Sequence, residues 1–326
     1  MTTGAARAPG KLFVTWEYAV LTGAPAVVAA VDRYAHVRFD LTPGDGPLVV
    51  ESEAEGRALT LARPLAGSIP GGDAGAVVAA LRAVASRPGA SGRVTVDSRA
   101  FLVGERKLGL GRSSATLAAA TAALLGSATS ASVLTTALAA NASFQDSLGS
   151  GADVAASVYG GVVEVTRGGV GLQVTARQLP AGLHLVAGWT GDSAHTTPLL
   201  ARFAAATRTG QVRALDDLRA TAVAAADAVA RGDAAALAAA VDRSATLLER
   251  LGEETGIAIV TPALARLVAA ARRVGAAAKP SGAGAGDCGI ALATSPAQAA
   301  AIRAAWQEEG ILPLPIAIAP EGAARG

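Results

Sequence analysis

Cysteine, histidine and aromatic residues are what this 326-residue chain has least of: one, three and 3% respectively. The single thiol, Cys288, excludes an intramolecular disulfide and a cysteine-based zinc cluster, and it fits a reducing cytosol. The histidines stand at 36, 184 and 195, with no metal-ligand spacing among them. Aromatics this sparse do not supply base stacking, and with a net charge of only +2 and no run of Lys and Arg there is nothing to track a nucleic-acid backbone. Long apolar runs are missing too. The most apolar stretch, Ala220 to Val241, is interrupted by Asp227, Arg231 and Asp233, which argues against a membrane span, and residues 1–9 lack the apolar segment of a secretory signal. The expectation is a cytoplasmic protein with neither a nucleic-acid nor a membrane partner. What the chain does have is 51% hydrophobic content, enough to bury a sizeable core, and a length that suits two domains.

One stretch organises the rest. Lys107-Leu108-Gly109-Leu110-Gly111-Arg112-Ser113-Ser114-Ala115 opens directly into the alanine-rich run 116–125. Two glycines let the backbone turn tightly against a ligand, and the serines are placed to cap a helix whose first N–H groups lack internal partners and carry partial positive charge. That pattern predicts an anion site, best suited to phosphate. No Gly-Lys-Ser/Thr closes it, so it is not a Walker loop, and the third glycine of a dinucleotide fingerprint is missing. A plain glycine turn with a serine cap is the other reading of these residues.

Before this loop the β-branched and aromatic bias of Gly10 to Val20 predicts a strand, and Ala26 to Asp40 one or two more after the Gly23-Ala24-Pro25 turn. Edge strands are expected at 47–50 and 58–62, a helix from Ala74 to Ser86, and a strand from Arg93 to Asp97. After the loop, a helix at about 130–143 leads to the small residues Gly149-Ser150-Gly151-Ala152-Asp153 and a short helix ending at Tyr159. Asp153 falls in its first turn, where the helix dipole favours a carboxylate, so a cap is its ordinary reading. Lys11, just after a Pro-Gly turn, is by itself an ordinary surface lysine. A hairpin is expected through Gly168-Gly169, and a strand from His184 to Trp189. We place the domain change near Leu183, giving domains 1–183 and 184–326. Ala-rich helices follow at about 199–208, 211–231, 233–252 and 262–274, the last with Thr261 as cap and Pro262 at its first position. A third loop, Lys279 to Gly289, is expected to leave that helix and enter the strand Ile290 to Ala293. Its glycine spacing imitates a dinucleotide fingerprint in the wrong structural context. Gln298 to Glu309 and Leu312 to Ala319 read as a final helix and strand.

Three Gly/Ser loops, at 109–115, 149–153 and 281–289, in this order across two mixed domains, resemble the three motifs of the GHMP kinases (galactokinase, homoserine kinase, mevalonate kinase and phosphomevalonate kinase). Within the family the likeness is strongest to the bacterial kinases acting on phosphomevalonate. It rests on Gly10-Lys11-Leu12-Phe13, Glu17 to Leu21, Val31-Asp32, Ser150 to Gly161, Gly188-Trp189-Thr190 and above all Lys279 to Leu292. The resemblance implies an α+β, two-domain GHMP kinase fold, with an N-terminal nucleotide-binding domain like domain 2 of ribosomal protein S5 and a ferredoxin-like C-terminal domain.

It also implies a small-molecule kinase that uses ATP and Mg²⁺ to convert phosphomevalonate to diphosphomevalonate in isoprenoid precursor synthesis, as a monomer or homodimer. The alternatives are another acceptor on the same scaffold, such as mevalonate or homoserine, a decarboxylase of diphosphomevalonate, or a relative that binds without turnover. In this likeness the backbone of Gly109, Leu110, Gly111, Arg112, Ser113, Ser114 and Ala115 cradles the nucleotide phosphates, Ser113 ligates Mg²⁺, and Lys107 reaches the phosphates from the loop's edge. Lys11 and Asp153 are the pair it puts at the acceptor. Tyr18, Ser150, Gly151, Thr196, Thr197, Lys279, Ser281, Gly282 and Ala283 are its substrate-binding residues. Two positions depart from the pattern. Arg112 replaces the first serine of the loop, and either adds charge to the nucleotide site or obstructs it. Trp16 replaces a glycine and narrows the acceptor pocket.

Overall fold

The computed structural model describes residues 2–15, 18–44, 46–61, 65, 67–84, 90–144, 149–168, 171–192, 196–210 and 212–325. Its first layer is a mixed sheet built on two long antiparallel strands, β1 (Thr2–Thr15) and β2 (Ala26–Pro43), in register from Thr2 opposite Leu41 to Thr15 opposite Val27. From Ala35 to Leu41, β2 alternates buried and exposed residues, as a strand with one wet face should, whereas Ala26 to Val31 are buried throughout. The change marks where β2 passes from an open sheet into the joint between two layers. The outer half of β2 pairs β5 (Ala90–Asp97), which carries β3 (Leu48–Ser52) in parallel and then β4 (Arg57–Leu61). A short hairpin follows β5, with β6 (Leu102–Val103) against β7 (Arg106–Lys107). The inner half of β2 pairs β8 (Val162–Gly168), which turns back as β9 (Gly171–Arg177).

Three helices lie against this sheet, α1 (Gly72–Ala83), α2 (Arg112–Leu125) and α4 (Ala152–Tyr159), and α3 (Ser130–Phe144) packs on all three. The alanines of α2 at 115, 118, 119, 120, 122 and 123 are all buried. Side chains that small let the helix axis come close to the strands, which suits a helix whose first turn must be held rigidly.

The second layer is an antiparallel sheet in the order β11 (Ala277–Ser281), β12 (Cys288–Ala293), β10 (His184–Trp189), β13 (Leu312–Leu314). Helices α5 (Thr196–Thr209), α6 (Arg213–Arg231), α7 (Ala234–Thr255), α8 (Pro262–Arg273) and α9 (Pro296–Glu308) accompany it. The expected cap of α8 is present, with Thr261 Oγ1 accepting from Leu264 N and Pro262 at the first position. Trp306, fully buried, donates from Nε1 to Leu267 O at 2.9 Å and fastens α9 to α8. A shared core containing Leu12, Val14, Val27, Ala187, Leu218, Leu237 and Ile290 joins the layers. The second sheet starts at His184, while residues 317–325 return to the first: Ile318 bridges Val31, and β14 (Ala324–Arg325) pairs β1.

Several elements depart from the sequence reading. β1 ends at Thr15, and Ala19–Thr22 is a 3-10 turn closed by Gly23 in the left-handed region, so no strand runs to Val20. Trp16 and Glu17 lie outside the described residues. The last strand stops at Leu314 because Pro313, Pro315 and Pro320 supply no N–H to a ladder. The third loop leaves a strand rather than a helix, since Ala277–Ser281 pairs antiparallel with Cys288–Ala293.

Candidate active site

Gly109 and Gly111 both adopt left-handed backbone, with φ of 73° and 80°. Gly111 is the N-cap of α2, and no side chain caps it, so the serines do not play the capping part expected of them. Instead Ser114 turns inward, donating from Oγ to Gly111 O at 2.9 Å, and Ser157 of α4 donates to it at 3.4 Å. Ser113 is left beside it with its hydroxyl in a cleft and no hydrogen-bond partner among the described residues. A Cβ at Gly111 would stand 2.9 Å from Lys11 Cγ, and one at Gly109 would stand 2.4 Å from Asp287 Cβ. Glycine is required at both because β1 and the third loop press directly on this turn.

The cleft, about 530 Å³, lies where the two sheets meet. Lys11 enters it from β1, anchored by its backbone N–H to Leu110 O at 2.7 Å, the residue 8% exposed and its Nζ 5.0 Å from the centre of the Phe13 ring. Among the described residues no carboxylate forms an ion pair with it. Asp153 enters from the first turn of α4, whose N-cap, Gly151, is also left-handed. Its half-buried carboxylate lines the same cleft, and the two groups do not form an ion pair with each other. The starts of α2 and α4 therefore both open on one space, bringing two sets of unpaired N–H groups and two positive dipole ends. Lys107, exposed on β7, stands at the rim.

The third loop closes the cleft from the other sheet. Tyr18 lines the space with its ring 4.8 Å from that of Phe203 and donates its hydroxyl to Ala283 O at 2.5 Å. Ala285 and Asp287 hold φ of 62° and 57°, a left-handed conformation that costs about 1–3 kcal/mol at a non-glycine residue. Neighbours hold the loop there: Asp287 O accepts from both Thr190 N and Thr190 Oγ1 at 3.0 Å, Asp287 N donates to Asp192 O at 2.9 Å, and Ala285 N to Ile259 O at 2.9 Å. Cys288 donates from Sγ to Leu108 O at 2.8 Å. Burial, reinforced by Asp287, pushes its thiol far above the usual range, so it is a strut and not a nucleophile.

Of the residues expected here, Gly109 to Ser114, Ser150, Gly282 and Ala283 line the cleft with those already named. Ser150 Oγ also accepts from Ala152 N at 3.2 Å. Ala115 belongs to the core and Gly151 to the turn behind Ser150. Thr196 and Thr197 open α5, next to the cleft residue Pro198; their side chains lie outside what the structure describes. Lys279 and Ser281 are not lining residues. β11 directs both inward, where Lys279 Nζ donates to Pro280 O at 2.7 Å and Phe13 O at 3.4 Å, and Ser281 Oγ to Phe13 O at 3.0 Å. They hold the carbonyl of the residue whose ring underlies Lys11. Arg112 lines the wall but its Nη2 reaches Glu55 Oε1 at 3.1 Å and its Nε lies 3.7 Å from Asp73 Oδ1, so it is tied to the wall behind it. Sequence reading missed Asp287 and the segment Ile69 to Gly72, all of which line the cleft. The only local signal was an aspartate inside a glycine pattern.

Among the described residues no three His, Cys, Asp or Glu side chains gather to hold a metal, and no helix is long and apolar enough to cross a membrane. Oxygen donors are what the cleft offers: the hydroxyl of Ser113 and the carboxylates of Asp153 and Asp287. That set fits Mg²⁺, a hard ion usually held by few protein oxygens together with phosphates and water.

A family model described as GHMP kinases C terminal matches residues 225–312. A phosphomevalonate kinase from Streptomyces sp. (strain CL190) is 36% identical over an alignment of 378 residues that covers 99% of this chain and 100% of the relative. Among solved structures, that of a Listeria innocua protein superposes with a TM-score of 0.84 at 21% identity, covering 100% of this chain and 99% of the other. Streptococcus pneumoniae phosphomevalonate kinase, in complex with phosphomevalonate and AMPPNP, superposes with a TM-score of 0.79 at 21% identity, covering 96% and 99%. With likeness running over the full length of both sequence and fold, the chain belongs to the GHMP kinase family.

Proposed function

We propose that this protein is an ATP-dependent kinase that phosphorylates phosphomevalonate to diphosphomevalonate, the acceptor being a phosphate group. The reading is supported by 36% identity to the Streptomyces relative over its full length and, in the cleft itself, by one observation above the others. Lys11, only 8% exposed, enters the cleft on which two helix starts open, and among the described residues no carboxylate forms an ion pair with it. In this reading residues 1–183 hold the nucleotide, and residues 184–326 bring the third loop against the acceptor.

Phosphoryl transfer is governed by positioning and charge more than by covalent work from the protein. The P–O bond joining the γ-phosphoryl to ADP breaks as an oxygen of the acceptor phosphate bonds to that phosphorus, and ADP leaves. A phosphate monoester, with a second pKa of about 6, is already largely ionised at neutral pH and needs no base. The difficulty is repulsion, about 4 kcal/mol per unit charge pair at 4 Å and an effective dielectric near 20. Lys11 offsets it from within the cleft, Lys107 from the rim, and the amides at the starts of α2 and α4 add fixed partial charge. Mg²⁺, when bound, supplies further positive charge to the phosphates, and Ser113 with Asp153 would hold it. Asp153, which lines the same cleft, orients the acceptor without having to remove a proton. Tyr18 shapes the wall and fastens the third loop.

Turnover with mevalonate, phosphomevalonate, homoserine and galactose under one set of conditions tests the assignment. ADP release specific to phosphomevalonate is expected, and a preference for any acceptor that lacks phosphate would overturn it.

A further inference from the structure

Gly71 and Gly72, at the start of α1, line the same wall of the cleft as Arg112 and Ser113 at the start of α2. Two helix starts side by side concentrate positive potential, and a cation on the first residue of α2 adds to it, the least favourable end of a helix for an arginine. Two carboxylates answer this charge. Glu55, in the β3–β4 turn, accepts at Oε1 from Asp73 N at 3.0 Å and from Arg112 Nη2 at 3.1 Å, while its Oε2 pairs with Arg57 at 2.9 Å. Asp73, 1% exposed, accepts at Oδ2 from the hydroxyls of Ser52 and Ser98, both at 2.7 Å. At Oδ1 it accepts from Thr116 at 3.3 Å and faces Arg112 Nε at 3.7 Å.

Capping its own helix would not need this many donors. Ser52 ends β3, Ser98 follows β5, and Arg112 and Thr116 stand four apart on α2, so both face α1. One buried carboxylate thus draws together two strand ends and two points on the first turns of the helix that opens on the cleft. Desolvation works against ionisation of Glu55, yet the N–H of Asp73 and the charges of Arg57 and Arg112 outweigh it and hold its carboxyl below the usual range. Glu55 is therefore ionised at neutral pH.

We propose that Asp73 is a positioning residue for the nucleotide: with Glu55 it pins Arg112 and Thr116, fixes the first turn of α2, and keeps the arginine out of the space its phosphates would fill. The assignment rests on reading the cleft as a nucleotide site. It also accounts for an arginine in the loop, which is tolerated because its charge is spent on the wall behind.

The test uses the full chain and compares wild type with Asp73→Asn, which keeps an acceptor oxygen but not the charge, and with Arg112→Ser and the double variant. Asp73→Asn is expected to raise the KM for ATP about tenfold, with kcat and the KM for the acceptor within about threefold of wild type. The double variant is expected to show less than the sum of the two single effects, since both break the same tie. An unchanged KM for ATP in Asp73→Asn, or additive effects in the double variant, would overturn the proposal. Thr116→Val, which loses one donor at constant shape, serves if Asp73→Asn fails to fold: a smaller rise in the same constant is expected, and no rise would be equally fatal. Calorimetric titration of wild type with AMPPNP separates the two readings. Absence of binding removes the nucleotide site and this proposal with it, whereas wild-type binding that Asp73→Asn retains undiminished removes the proposal alone.

Discussion

Replacing Lys11 with Met removes one positive charge from the cleft and almost nothing else. The unbranched side chain keeps the stem that packs on Gly111, and the Nζ contact with the Phe13 ring is worth about 2 kcal/mol at a buried site, part of which methionine's own contact with the ring replaces, so folding is retained. At about 4 Å from a phosphate and an effective dielectric near 20, one charge contributes about 4 kcal/mol, or roughly three powers of ten in rate. Lys107 and the two helix starts remain, so the expected loss of kcat is about 10²- to 10³-fold. Coupled detection of ADP release measures it, with thermal unfolding as the check on folding. Asp153→Asn belongs in the same experiment. With a phosphate acceptor it is expected to do no more harm than Lys11→Met, and the pH profile of kcat should show no acidic limb assignable to Asp153. With a hydroxyl acceptor the carboxylate is a base, and its loss costs about 10²- to 10⁴-fold. If Lys11→Met stayed within a few-fold of wild type while Asp153→Asn abolished turnover, the phosphate-acceptor reasoning would be refuted.

Three further outcomes are expected. Ser113→Ala should lower turnover in a way that depends on Mg²⁺ concentration while leaving the unfolding temperature in place, because the hydroxyl has no partner within the protein among the described residues and its loss opens no core cavity; identical Mg²⁺ titration curves would remove it from the metal site. Gly109→Ala should lose activity and stability together, since a methyl at φ 73° would collide with Asp287 at 2.4 Å; a fully active variant would show that the third loop need not press on the turn at 109–111. Glu55 has a folded-state pKa below its ordinary value, so its contribution to stability is present at neutral pH and is lost as pH falls through that folded value. Unfolding temperatures followed from pH 7 down to about 3 should therefore fall less steeply in Glu55→Gln than in wild type, and parallel curves would mean that Glu55 is not coupled to folding.

Legibility in the sequence followed the range of the interactions involved. The glycine turn at 109–111, the capped start of α8 and the strand His184–Trp189 were readable because glycine conformation, Thr-Pro capping and an apolar run between breakers are decided within a few residues. The inward direction of Lys279 was not, because a motif says that a lysine is present but only the pairing of Lys279 opposite Ile290 decides which face of the strand carries it. Arg112 was recognisable as an intruder in its loop. Its partners at 55 and 73 lie in segments that read as little more than polar turns and a helix start, and only the fold brings them together. Asp287 was hidden for a related reason: a left-handed aspartate is tolerated there because Thr190, Asp192 and Cys288 fix the loop, and none of those contacts is written locally. The early start of β1 at Thr2 likewise depends on the length of β2, which offers a pairing edge to residues whose own β-propensity is weak.

Phosphorus NMR of the protein incubated with ATP, Mg²⁺ and phosphomevalonate decides the acceptor by the bond that forms. The expected spectrum loses the phosphomonoester resonance and gains two mutually coupled resonances of a P–O–P linkage, one equivalent per ADP, with no carbon dioxide released. A phosphomonoester resonance left unchanged, or a second monoester resonance from phosphorylation of a hydroxyl of phosphomevalonate, would contradict the account.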